Sequence, residues 1–156
     1  MKLESQWIVG FVDGEGCFHV SINQHSEMTA GYQVLPEFTV VQHKCDIQIL
    51  YALKSFFGCG VVRVNHGDRM AFRVRGIEHL ANIIIPFFEK HTLKTKKRIN
   101  FIKFKQVVLM MLRGEHLTCD GIEEIRSIKH QMNSFSSDEE DEYEQTKIES
   151  NFTGNS

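Results

Sequence analysis

The chain has 156 residues, 42% of them hydrophobic and 24% charged, the size and make-up of one globular domain, which excludes collagen, coiled coil and a wholly disordered polymer. Its longest unbroken apolar run, 107–112, is far short of the ~20 residues that a membrane span needs, and the start MKLESQWIVG resembles neither a secretory signal nor a transit peptide. The formal charge of −2 conceals an asymmetry: segment 136–156 holds seven acidic residues and one lysine, which leaves 13 acidic and 17 basic residues, net +4, in 1–135. One folded domain over 1–135 followed by a disordered acidic tail over 136–156 is therefore expected, with neither membrane attachment nor secretion. Four scattered cysteines without a Cys-x-x-Cys pair read as free thiols in a reducing compartment.

Residues 4–14 predict a short helix, with Trp7, Ile8, Phe11 and Val12 at helical spacing and Gly10 and Gly14 four apart on one face. Residues 16–25 alternate, Phe18, Val20 and Ile22 on one side and His19, Ser21 and Asn23 on the other, as a half-buried strand does. Residues 32–43 alternate again, with Pro36 consistent with an edge or bulge. A helix follows over 46–57 and stops at Gly58. Next comes a hairpin around His66-Gly67-Asp68, with Val62, Val64, Met70, Phe72 and Val74 on one side and Arg63, Asn65, Arg69, Arg73 and Arg75 on the other. Helices are predicted over 77–89, interrupted at Pro86, over 95–113, and from an N-cap at Thr118 to about Asn133. The order αββαββ followed by helices means α+β: one four-stranded antiparallel sheet with helices on one face.

The other face of such a sheet meets solvent. Here it gathers amides, hydroxyls and imidazoles from the first two strands (His19, Ser21, Asn23, Gln33, Thr39) and arginines with Asn65 from the last two. Those groups match base edges of the DNA major groove, which admits a two-stranded ribbon.

The first helix ends IVGFVDGEG. Asp13 and Glu15 stand where the helix dipole disfavours negative charge by about 0.3–1 kcal/mol each. A bound cation offsets that repulsion, and a hard oxygen ligand such as Glu15 suits one. The stretch Ile8-Val9-Gly10-Phe11-Val12-Asp13-Gly14-Glu15-Gly16 closely resembles the motif that names the LAGLIDADG homing endonucleases, and the αββαββ order over about residues 4–113 is similar to that family's core.

The resemblance implies a pair of motif helices packed through Gly10 and Gly14, with Trp7 and Phe11 beside them, in a homodimer, since the chain carries one motif. It implies that Glu15, joined by the Gly14 carbonyl, holds Mg2+ or another hard divalent ion such as Mn2+, or Ca2+ non-productively. Gln42 and Lys94 match polar active-site positions, Gln42 near the metal-bound solvent and Lys94 near the scissile phosphate; Lys96 joins the DNA contacts. Strict alternation with Phe38 and Val40 turns Gln42 inward unless a bulge or strand end releases it. Asp46 departs from the basic residue of some relatives, and Lys44 is the nearest substitute.

The implied activity is hydrolysis of both strands of a long pseudo-palindromic duplex site. Expression from a mobile intron follows, in a chloroplast more than a mitochondrion, or in a bacterial cytoplasm. The alternatives on the same fold are a maturase that binds intron RNA and a non-catalytic DNA-binding regulator.

Overall fold

A computed structural model describes residues 1–132. The expected acidic tail over 136–156, and the end of the domain at 135, lie outside the described residues. Helix α1 (Ser5–Glu15) runs straight into strand β1 (Gly16–Gln24), which turns back into β2 (Tyr32–His43). Helix α2 (Ile47–Phe57) follows, then β3 (Val61–His66) and β4 (Arg69–Val74). Three helical stretches complete the described chain: α3 over 77–90, α4 (Lys97–Leu112) and α5 over 119–132. The four strands form one antiparallel sheet in the order β1-β2-β4-β3.

The period-2 pattern decides which side of the sheet is dry. Phe18, Val20, Val34, Phe38, Val40, Phe72 and Val74 are buried against the helices. Phe18 is the hub of an aromatic cluster, its ring centroid 5.1–5.6 Å from those of Phe38, Phe88, Phe101 and Phe104. Such tilted and stacked pairs add to the burial of large apolar surface. The helices contribute Ile8 and Val12 from α1, Leu50 and Leu53 from α2, Leu80 and Ile84 from α3, Val107 and Val108 from α4, and Ile122 and Ile125 from α5. No buried polar side chain interrupts this core among the described residues.

Local signals account for most boundaries. Gly58 ends α2 in the left-handed region (φ +68°), its N–H donating to Lys54 O at 2.9 Å. Thr118 caps α5 as predicted: its Oγ1 accepts from Gly121 N–H at 3.0 Å. Pro36 sits where β2 is paired with β1 (Val20↔Pro36) but β4 pairing starts only at Phe38, so a missing donor on that side breaks no ladder.

Two expectations are corrected. The helix over 77–90 is not interrupted at Pro86. A π-helical stretch (Leu80–Ile84) precedes it, and Pro86 falls in the first turn of the α-helical stretch that resumes (Ile85–Lys90), where a missing N–H is tolerated. The hairpin turn is shorter than His66-Gly67-Asp68, since His66 pairs with Arg69. The register shifts between Val64 and His66, so Asn65 has no partner on β4 and its orientation is not set by alternation with Arg63. Among the described residues no helix is long and apolar enough to cross a membrane.

Candidate active site and nucleic-acid interface

Helix α1 has two faces. Ile8, Val9 and Val12 are buried in the core. Trp7, Gly10 and Gly14 are exposed on its other side, and Phe11, in the same i, i+3, i+4, i+7 stripe, is half-buried and also packs against the core. Trp7 is 44% exposed and stacks on Phe11 at 4.8 Å between centroids. A Cβ built on Gly10 or on Gly14 meets nothing within 4 Å, and neither glycine has a positive φ. The fold of the single chain therefore does not require glycine at either position.

At the C-terminal end of α1 the two motif acids part company. Asp13 is consumed internally: Oδ2 accepts from Lys94 N–H at 2.8 Å, and Oδ1 accepts from Thr95 N–H at 3.1 Å and from Thr95 Oγ1 at 2.8 Å. It thus staples the segment before α4 to the end of α1. Partial burial pushes the Asp13 pKa up, but these three hydrogen bonds and the Lys97 charge outweigh it and hold the carboxyl below its ordinary value of 3.8. Its contribution to stability is therefore complete above that value and is lost as pH falls through the lower folded value. Asp13→Asn is expected to cost about 1–2 kcal/mol at pH 7 and to flatten the loss of stability below about pH 4, measured by urea unfolding across that range.

Glu15 is exposed and, among the described residues, accepts no hydrogen bond. Its charge acts on Lys97. Lys97 Nζ donates to Val12 O at 3.1 Å and to Asp13 O at 3.2 Å, which places a cation on the carbonyls of the last turn of α1 and answers the dipole problem of two acids there. Burial pulls the Lys97 pKa down, opposed by Cys17, Asp13 and Glu15. Lys94, expected near the scissile phosphate, has an exposed side chain, and its backbone N–H donates to Asp13. Five basic residues between Lys90 and Arg98 gave the sequence no means to choose. The turn that Asp13 holds brings the Lys97 side chain onto the end of α1.

Gln42 continues the inward side of β2 with Phe38 and Val40, without a bulge, and is half-buried near the strand's end. Gly16, the first residue of β1, pairs with Val40, so β2 runs three residues past that start, with Gln42 two residues beyond the pair. Lys44, the nearest base to Asp46, pairs with Asp68 at 2.8 Å on the surface. The fit to a hard divalent cation is that of half a site. The Glu15 carboxylate and the adjoining Gly14 carbonyl take part in none of the bonds above, and no group of three His, Cys, Asp or Glu gathers to hold a metal among the described residues.

The outward sheet face bears the predicted polar set. His19 and Asn23 are exposed on β1, opposite Glu37 and Gln33; Ser21 is half-buried between them. Thr39 pairs with Arg73, and Arg63 pairs with Ala71. Lys96 stands just before α4. Arg73 has its pKa lowered, first by burial and then by the charges of Arg75 and Arg63, so the arginines crowd one another. One member of this face was missed: Glu37 accepts from Arg75 Nε at 2.8 Å. Its outward parity was legible in the alternation of β2, but not its reach to Arg75.

The description "LAGLIDADG endonuclease" belongs to the family model that matches residues 8–108. The probable intron-encoded endonuclease 2 of Neurospora crassa is 35% identical over 133 residues, covering 84% of this chain but only 29% of its own length. The chain thus spans under a third of that relative. The crystal structure of the homing endonuclease I-TnaI superposes with a TM-score of 0.83 at 56% identity, covering 85% of this chain and 90% of that one. The homing endonuclease I-SmaMI bound to cleaved DNA superposes with a TM-score of 0.80 at 38% identity, covering 82% and 43%. A family model that covers residues 8–108, with a relative 35% identical over most of the chain, shows that the chain belongs to the LAGLIDADG endonuclease family.

Proposed function

We propose that the chain is a divalent-metal-dependent endonuclease that cuts both strands of a long, nearly palindromic DNA site as a symmetric homodimer. The observation that carries this is the end of α1: an exposed carboxylate, Glu15, at the tip of a helix whose outward stripe (Trp7, Gly10, Phe11, Gly14) has room for a second backbone. One chain offers one such carboxylate, and two strands need two; a two-fold axis along the stripes supplies the second. The relatives' names, intron-encoded endonucleases and homing endonucleases seen with DNA, support the substrate class. They also support expression from an intron, which we place inside an organelle.

In this reading the outward sheet face lies in the major groove, where Arg63, Arg73 and Arg75 supply charge and forks, and His19, Ser21, Asn23, Gln33 and Thr39 supply donors and acceptors for base edges. Mg2+ held by Glu15 and the Gly14 carbonyl, together with their symmetry mates, supplies activation of water and stabilisation of the leaving oxygen when bound. Lys97 spends two of its three N–H donors on Val12 O and Asp13 O and turns the third to the phosphate, where charge builds during displacement. Gln42 orients solvent from the strand end beside it.

Incubation with a plasmid carrying the uninterrupted insertion sequence and Mg2+ tests the reading. Linear product is expected; an intact duplex alongside tight binding of the intron transcript indicates the maturase instead. Within that assay Lys97→Ala is expected to slow cleavage by roughly 10²-fold or more, whereas Lys94→Ala changes it little. The reverse order restores the role to Lys94.

A further inference from the structure

The basic sheet face carries an acid that the reading above does not use. Glu37 lies on the outward side of β2, opposite His19 on β1 and two residues before Thr39. It grips Arg75, one residue past β4, through Nε at 2.8 Å, and only 18% of the Glu37 side chain is exposed, against 48% for Arg75. Around Arg73 the neighbouring guanidinium charges of Arg75 and Arg63 are opposed by Glu37. A carboxylate on a surface that binds phosphates weakens binding to every sequence alike. Its place there is explained if it helps a neighbour read a base.

The geometry says which neighbour and which base. The contact uses the Nε–H of Arg75, which leaves the two Nη groups at the outer end of the guanidinium. Those groups form the fork that spans N7 and O6 of guanine in the major groove. Arg75 is long and half-exposed, so unrestrained it samples many rotamers. The ion pair fixes the guanidinium plane before DNA arrives, which lowers the ordering cost on binding.

We propose that Glu37 is a positioning residue for sequence specificity: it aims Arg75 at one guanine in each half-site. This rests on the DNA-binding reading above and names a base pair on which that reading turns. Arg63 and Arg73 have no such partner carboxylate among the described contacts, so the device singles out Arg75.

The test is selection of bound duplexes from a random-sequence DNA library with Ca2+ in place of Mg2+, using the full chain, Glu37→Ala and Arg75→Lys. The wild type is expected to enrich one guanine per half-site that Arg75→Lys no longer enriches, because a lysine keeps the charge and loses the fork. Glu37→Ala is expected to weaken the preference for that same guanine by roughly tenfold to a hundredfold, leaving other positions as they were. Tighter binding by Glu37→Ala to all sequences alike, or effects of the two variants at different positions, overturns the proposal. A wild type that enriches no sequence overturns the DNA-binding reading, and this proposal with it.

Discussion

Glu15→Gln is expected to abolish double-strand cleavage, by at least roughly 10²–10³-fold in single-turnover rate, while duplex binding stays close to that of the wild type. The reasoning begins with what Glu15 does not do. It is exposed, contributes nothing to the core and accepts no hydrogen bond among the described residues, so a neutral isostere leaves folding untouched. What the amide loses is the charge that makes a carboxylate a good ligand for a hard cation. Asp13, two residues earlier, is not expected to take over, because it is already held by Lys94 N–H, Thr95 N–H and Thr95 Oγ1. Chelation of the divalent metal is expected to reproduce the phenotype in the wild type, and added Mg2+ to reverse it there but not in the variant. Electrophoresis of a nicked or linear plasmid reads the result, with a mobility shift to confirm binding; persistent cleavage by the variant removes Glu15 from the chemistry.

The second large effect combines two opposite signs. Replacing both Gly10 and Gly14 by Ala is expected to stabilise the isolated chain and to destroy the assembly. Each new methyl enters open space in the single chain, at helical positions where alanine is preferred over glycine by about 0.8–1 kcal/mol in a helix interior. Gly14 is next to last in α1, so the total gain expected is nearer 1 than 2 kcal/mol. Between two helices packed through the same stripe, four added methyls per dimer force the backbones apart and separate the Trp7–Phe11 stacks from their opposite numbers. Light scattering is expected to report the mass of one chain where the wild type gives two, urea unfolding of the dilute protein a higher midpoint, and double-strand cleavage a loss of at least roughly tenfold. A variant that remains dimeric disproves packing through this stripe. A variant that unfolds more easily shows that the glycines serve the single chain after all.

Alternation and helical spacing were enough to anticipate the order of elements, the dry and wet sides of the sheet, the Thr118 cap and the halt at Gly58. These are period-2 and period-3.6 properties, and each is decided within a few residues of where it is read. The exposure of Trp7, Gly10 and Gly14 on α1 was legible for the same reason, since they fall outside the core spacing of Ile8, Val9 and Val12; Phe11, between the two sides, is half-buried against the core. Where alternation is broken by an unpaired residue, as at Asn65, the pattern by itself misleads, because a bulge is a property of two strands and only one is read at a time. Pro86 misled differently. A proline in a helical pattern usually marks a break, but a wider π-helical turn just upstream lets the helix restart around it.

The amino-acid sequence by itself determined that this chain makes a four-stranded sheet with one polar, arginine-bearing face, and that Glu15 ends an apolar helix notched by two glycines. The motif resemblance singled out Glu15; tertiary structure alone showed what Asp13 does instead and which lysine packs on the end of α1. Asp13 and Glu15 are equivalent in local pattern, and Lys94, Lys96 and Lys97 are neighbours in one basic run. They part only when the segment before α4 folds against the end of α1, spending Asp13 on two backbone N–H groups and a hydroxyl and swinging Lys97 onto the Val12 and Asp13 carbonyls. The contacts span more than 80 residues of chain. No periodicity reports on pairs that far apart, because their meeting depends on how the core stacks every element in between.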